Sequence, residues 1–128
     1  MQMSYPNGLK YTKEHEWIKI EGNVGTIGIT KYAIDQLGDI VYLDLPKVGA
    51  SFKAGGNFGT VESVKTVSDL YMPVSCKITE INQTAIDSPD CLAEDAYSKG
   101  WLVKVEVENI PTDLLSASEY ENYIKGGN

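Results

Sequence analysis

The run Asn57-Phe58-Gly59-Thr60-Val61-Glu62-Ser63-Val64-Lys65-Thr66-Val67-Ser68-Asp69-Leu70-Tyr71 sets one lysine between two segments rich in β-branched and aromatic residues. A carboxylate, Glu62, stands three residues before it, and another, Asp69, four residues after. The run predicts a β-hairpin that holds Lys65 out at its tip, with Ser63, Thr66 and Ser68 keeping the tip wet. Such a backbone presents an amine at a fixed place, which suits covalent modification better than catalysis. A tip lysine is ordinarily a solvated charge that keeps a strand edge from pairing with another chain. Spacing alone leaves both roles open.

The segments before the hairpin read as a meander. Glu16 to Ile20 and Val24 to Ile29 flank the turn-forming trio Glu21-Gly22-Asn23. Thr30 is placed to cap a short helix, Lys31 to Leu37, that Gly38 ends. Ile40 to Leu45 returns as a strand stopped by Pro46. After the hairpin, Val74 to Ile81 predicts another strand, and Pro89 lies near the start of a short helix through Cys91 and Leu92. Val103, Val105 and Val107 alternate with Lys104, Glu106 and Glu108, the pattern of a strand with one wet face. Thr112-Asp113-Leu114-Leu115 is expected to begin a helix, and Ser116-Ala117-Ser118-Glu119 is a capping box opening a second, Tyr120 to Ile124. Many short strands with helices at the ends indicate a mainly β core. A faint internal echo pairs Asp39 to Pro46 with Ser68 to Pro73, each running through an aspartate and a tyrosine to a proline.

Composition narrows the function. At 128 residues the chain is long enough for one core, and 42% hydrophobic with 23% charged residues is the balance of a globular protein. All 11 basic residues are lysine against 18 acids, and a net charge of −7 disfavours nucleic acid while favouring partners with basic docking surfaces. No run approaches a membrane span, and the first residues have neither the apolar core of a signal peptide nor the arginines of a transit peptide, so no membrane association and a cytoplasmic location are expected. A processed eukaryotic chain would instead sit in the mitochondrial matrix. Two cysteines, Cys76 and Cys91, and one histidine make neither a disulfide framework nor a zinc spacing. His15 is expected to be a hydrogen-bonded strand residue without chemistry. Residues 1–8 and 126–128 are expected to be flexible ends around a single domain, 9–125.

Glu62-Ser63-Val64-Lys65-Thr66 with Ser68-Asp69 and Pro73-Val74-Ser75 resembles the attachment hairpin of the glycine cleavage system H proteins, a family of lipoyl carriers. The resemblance extends to Leu9-Lys10-Tyr11-Thr12, His15-Glu16-Trp17, Val24 to Thr30, Leu37 to Pro46, Val48-Gly49 and Gly100-Trp101, which covers nearly the whole chain. It implies a biotinyl/lipoyl-type flattened β-barrel, a barrel-sandwich hybrid with short peripheral and C-terminal helices. It also implies lipoic acid in amide linkage to Lys65 and a monomeric, non-catalytic carrier. The flanks favour lipoate over biotin, because biotin sites place methionine on both sides of the lysine and this chain has Val64 and Thr66. Lipoyl domains of the 2-oxoacid dehydrogenases usually carry aspartate where Val64 stands.

By the same resemblance, the lipoyl disulfide accepts the aminomethyl group left when a pyridoxal-phosphate glycine decarboxylase acts on glycine. A tetrahydrofolate-dependent aminomethyltransferase then takes the group, and a flavin (FAD) dihydrolipoyl dehydrogenase reoxidises the dithiol. A lipoate ligase or lipoyltransferase attaches the arm, and Glu62 and Asp69 give it something to read besides a bare lysine. The loaded arm is an N,S-acetal that water hydrolyses, so a cleft with carboxylates near its ammonium would protect it. Glu16 and Asp69 match family positions lining that cleft, and Glu14 is a further candidate; the alternative for each is an ordinary surface acid. The chain departs from the family at Cys76, where glycine is usual, and at Ala93, Ala96 and the Tyr97 to Trp101 segment. A positive φ at position 76 would strain a cysteine by about 1 kcal/mol. An H-like paralogue serving sulfur-compound oxidation or lipoyl relay is the alternative function.

Overall fold

In the computed structural model, which describes residues 5–126, the strands form two antiparallel sheets. The larger has the order β1-β2-β3-β9-β8-β5, built from β1 (Lys10–Tyr11), β2 (Glu16–Glu21), β3 (Val24–Ile29), β9 (Val103–Asn109), β8 (Ser75–Ile81) and β5 (Ser51–Phe52). The smaller has the order β4-β6-β7, from β4 (Ile40–Asp44), β6 (Asn57–Ser63) and β7 (Val67–Tyr71). The helices are short: α1 (Lys31–Leu37), α2 (Gln83–Asp87), α3 (Cys91–Glu94) and α4 (Ala117–Ile124). The chain is mainly β, as expected.

The main core lies between the sheets. Ile18, Ile27, Ile78, Val103 and Val105 from the larger sheet share one buried cluster with Leu43, Phe58, Val61 and Leu70 from the smaller. Side chains alternate across a strand, so Glu16 shares the inward face of Ile18 and points between the sheets at one end of the sandwich. Trp17 faces the other way. It joins a second cluster with Tyr5, Leu9, Tyr11, Ala117 and Tyr120, and its indole N–H donates to the Ala96 carbonyl at 3.0 Å. The indole lies across Gly28, its cross-strand partner, where any Cβ would meet the ring at 2.7 Å.

The two echoing segments have matching places. Their strands, β4 and β7, are the two edges of the smaller sheet and both run antiparallel to β6. Helix α1 is capped as expected: Thr30 Oγ1 accepts from the Ala33 N–H, and Gly38, at φ 83°, closes the C-terminus by donating to the Ile34 carbonyl. The capping box is complete, with Ser116 and Glu119 exchanging side-chain-to-backbone bonds, so α4 begins at Ala117.

The structure departs from the sequence reading in several places. Thr112 to Leu115 is a turn and not a helix, because Leu115 pairs with Tyr11 through two backbone bonds of 2.8 Å. Helix α2, five residues long, is too short to show a sequence period. His15 lies in the turn before β2 and not in a strand, at φ 74°. Cys76 is fully buried in β8 opposite Phe52 and Val107 and has no positive φ, so the condition for strain is not met. Within the expected flexible ends, residues 1–4 and 127–128 lie outside the described residues; Tyr5 is buried against Tyr11 and Tyr120, and the Pro6 carbonyl accepts from the Tyr11 hydroxyl at 2.6 Å.

Candidate functional site

Lys65 sits exposed at the end of the β6–β7 hairpin. The tip is pinned from two sides. Ser63 Oγ accepts from the N–H groups of Lys65 and Thr66 at 3.3 and 3.2 Å, and the Ser63 N–H donates to the Thr66 carbonyl at 2.8 Å. The Val64 N–H donates to the Asp39 carbonyl at 3.0 Å, tying the turn to the start of β4. Ser63 is buried, not one of the wet tip residues, since its hydroxyl is spent on the turn. The Lys65 side chain folds over the end of α1: a Cβ at Gly38 would lie 3.5 Å from its Cε and 4.0 Å from its Nζ.

One residue before Gly38, Leu37 lines a cleft of about 260 Å³ that also takes in Ile29, Tyr32, Ala33, Val61 and Leu70. Glu14, His15, Glu16 and Asp69 line it too, so three of the four carboxylates singled out in the sequence converge on it. Glu62 does not. It stands on β6 between Tyr42 and Val67, in the row nearest the tip.

The three cleft acids differ in environment. Glu14 and Asp69 are exposed, and Asp69 Oδ2 accepts from the Tyr71 hydroxyl at 3.3 Å. Glu16 is 1% exposed and is no surface acid. Its Oε1 accepts from the Thr12 hydroxyl at 2.7 Å, and its Oε2 accepts from the Tyr71 N–H at 3.1 Å. That N–H lies on the edge strand of the smaller sheet, so one carboxylate satisfies a donor that β6 does not reach and links the two sheets. Burial pushes the Glu16 carboxyl up to about 7, against the opposing pull of its hydrogen bonds.

His15, expected to be inert, also belongs to the cleft wall. Its Nδ1 is 2.8 Å from the Tyr120 hydroxyl, which is 2.7 Å from Thr30 Oγ1, the cap of α1. Burial holds its pKa below the usual imidazole value, favouring the neutral ring. Thr12 and Ser63 fall within the family-like motifs, but neither their bonds nor that of the Tyr71 N–H can be read from them; only the folded backbone brings these groups to the acid and the tip. The Cys76 thiol, pushed up to about 11 by burial, is an unreactive core group.

A two-sheet β sandwich with a rigid hairpin presenting one lysine beside an acid-lined apolar cleft is the architecture of a carrier domain for a covalently held arm. The model of the glycine cleavage H-protein family matches residues 9–127. The chain is 50% identical over 129 residues to a glycine cleavage system H protein of Microcystis aeruginosa, covering 98% of both chains. It is 55% identical over 119 residues to that of Herpetosiphon aurantiacus, covering 93% of this chain and 92% of the relative. The crystal structure of a glycine cleavage system H protein from Mycobacterium marinum superposes with a TM-score of 0.89 at 43% identity, over 95% of this chain and 99% of that one. The chain belongs to the glycine cleavage H-protein family. It is a lipoyl carrier subunit and not a catalyst, and the other subunits of that system are its partners. Among the described residues no helix is long and apolar enough to cross a membrane.

Proposed function

We propose that Lys65 carries lipoate in amide linkage, on the single domain 9–125, and that the arm visits three enzymes. These are a pyridoxal-phosphate glycine decarboxylase, a tetrahydrofolate-dependent aminomethyltransferase and an FAD-containing dihydrolipoyl dehydrogenase. The observation that carries this is the pinned, exposed tip: the Lys65 and Thr66 N–H groups donate to Ser63 Oγ and the Val64 N–H donates to the Asp39 carbonyl, which fixes the backbone around a lysine that is itself in solvent. A lipoate ligase or lipoyltransferase supplies the arm.

The cleft fits such a group. Ile29, Ala33, Leu37, Val61 and Leu70 offer apolar walls to a hydrocarbon chain and its ring, and Glu14, Glu16 and Asp69 offer negative charge to a cationic cargo. The lipoyl group, when attached, supplies the disulfide that accepts the aminomethyl carbon and two electrons. The chain's own residues do the rest. The hairpin sets where the arm is rooted, the apolar walls exclude water, and Glu16, fixed by Thr12 and Tyr71, holds a carboxylate where it needs no reorganisation to meet an ammonium. Asp69 and Glu14 add charge at the solvent side.

The test is direct. The chain is incubated with lipoate ligase, ATP and lipoate, and the adduct is located by peptide mass spectrometry. Modification at Lys65 alone, abolished in Lys65→Arg, is the expected result; an adduct that persists in Lys65→Arg overturns the assignment, because one of the other ten lysines would then be the acceptor.

A further inference from the structure

Apolar side chains are concentrated around the tip. Val64 is 69% exposed, Val67 59%, Tyr42 54% and Val41 51%. Cross-strand pairing brings them together on the outer face of the smaller sheet. Tyr42 pairs with Glu62 and Glu62 with Val67, and the Val64 N–H bonds to Asp39, two residues before Val41. A strand covered on one face should alternate, yet Val41 and Tyr42 are both exposed. The cause is a β-bulge: β4 pairs with β6 at Ile40 and again at Tyr42, where β6 advances by only one residue from Ser63 to Glu62. The extra residue, Val41, turns a second apolar side chain to solvent beside Tyr42, at the end of the sheet where Lys65 sits. Exposed apolar groups gathered at a functional tip mark a contact surface.

We propose that the patch of Val41, Tyr42, Val64 and Val67 is the docking surface of the enzyme that acylates Lys65. This rests on the assignment of Lys65 as the modified residue. Three considerations select that partner. First, enzymes that work on the cargo meet the dithiolane at the far end of a long flexible chain and have no need to cover the tip. The acylating enzyme must bring an activated carboxyl to Nζ itself and therefore covers whatever surrounds it. Second, β4, β6 and β7 carry no lysine: Glu62 lies within the patch between Tyr42 and Val67, and Asp44 and Asp69 flank Thr60 in the next row, so the surface is acidic and suits a partner with basic groups. Third, a second copy of this chain would oppose the same acids to themselves. In the reaction, neutral Nζ adds to the carbonyl carbon of an acyl adenylate. The N–C bond forms, the C–O bond to the adenylate phosphate breaks and AMP departs with the electron pair. The two protons lost by the former ammonium pass to bases of the enzyme or to water.

Val64→Thr/Val67→Thr keeps β-branched shape while removing apolar contact, and Tyr42→Ser tests the opposite strand. Initial rates of lipoylation by lipoate ligase with ATP and lipoate are measured against carrier concentration. Each variant is then driven to full lipoylation, confirmed by intact mass, and assayed with the glycine decarboxylase. The expected result is a KM in the ligase assay raised roughly tenfold, with decarboxylase kinetics within about twofold of wild type. An unchanged ligase KM overturns the proposal, as does an equal loss with the decarboxylase, which would assign the patch to the wrong partner. A light-scattering mass that falls from dimer to monomer in the variants also overturns it, by making the patch a self-association surface. Each variant is melted thermally so that unfolding is excluded. Because Lys65 is located by peptide mapping in the same samples, an adduct elsewhere refutes the modification site and not merely the surface.

Discussion

At the residue scale, Glu16 carries the largest consequence of burial. It binds its proton more tightly in the folded chain than in the unfolded one, where a glutamate titrates near 4.5. Its contribution to stability is therefore full below 4.5 and is lost as pH rises to about 7. A shift of that size corresponds to a cost on the order of 3 kcal/mol for holding the charge at alkaline pH. Glu16→Gln keeps an acceptor for the Tyr71 N–H and removes the charge, while its amide N–H turns the Thr12 hydroxyl from donor to acceptor. Denaturant unfolding should find the variant more stable than wild type at pH 8 by up to about 3 kcal/mol and nearly equal at pH 4. The cost has a functional return on the proposed mechanism. Loaded carrier should release formaldehyde about tenfold faster in Glu16→Gln at pH 8, and the difference should shrink below pH 7, where wild type is also neutral. Equal lifetimes at pH 8 would leave protection to the apolar walls alone. Alanine is the wrong probe here, since it strands a buried hydroxyl and an edge N–H.

At the element scale, one buried hydroxyl supplies two of the bonds that pin the hairpin tip. Ser63→Ala removes the acceptor for the Lys65 and Thr66 N–H groups. Stability should fall by about 1–2 kcal/mol, and hydrogen exchange at Lys65 and Thr66 should accelerate while that of the β8–β9 ladder is unchanged. Protection at the tip equal to wild type would mean that the strands alone hold the turn. The hairpin, α1 and the α4 capping box were legible because each writes its signal locally, as β-branched runs, a threonine cap or a serine and glutamate three apart. Helix α2 was not legible, because Gln83 to Asp87 is too short to show a period. Thr112 to Leu115 misled for the opposite reason: its local appearance is helical, but a bridge to Tyr11, more than a hundred residues away, decides its conformation.

At the scale of the whole molecule, a charge of −7 carried with lysine as the only basic residue makes this carrier attractive to partners with positive entrances. Acylation removes one positive charge and deepens the asymmetry. The KM of the lipoylated carrier for the proposed glycine decarboxylase should rise from low to physiological salt, with the maximal rate changing less. A salt-independent KM would point to an apolar interface. The same scale explains the two cores. Sheet against sheet buries the inward face of β2, while the tyrosine cluster with α4 covers Trp17 on its outer face, so one strand is buried on both sides at its start.

The sequence by itself determined the class of fold, the lysine at the hairpin tip and the acidic character of the surface, because strand periodicity, turn chemistry and charge are properties of short segments. It also named Glu14, Glu16 and Asp69 through family resemblance. Only the tertiary structure decided what those acids are: two solvated groups, and one buried link between sheets whose proton affinity is raised by its surroundings. It alone made Cys76 an unstrained core residue, set His15 in the cleft wall, bonded Thr12 to the buried Glu16 and gathered Val41, Tyr42, Val64 and Val67 into one surface. The physical reason is common to all of these. Burial, hydrogen-bond partnership and cross-strand neighbourhood depend on residues far apart in the chain, and no local pattern records which of them will meet.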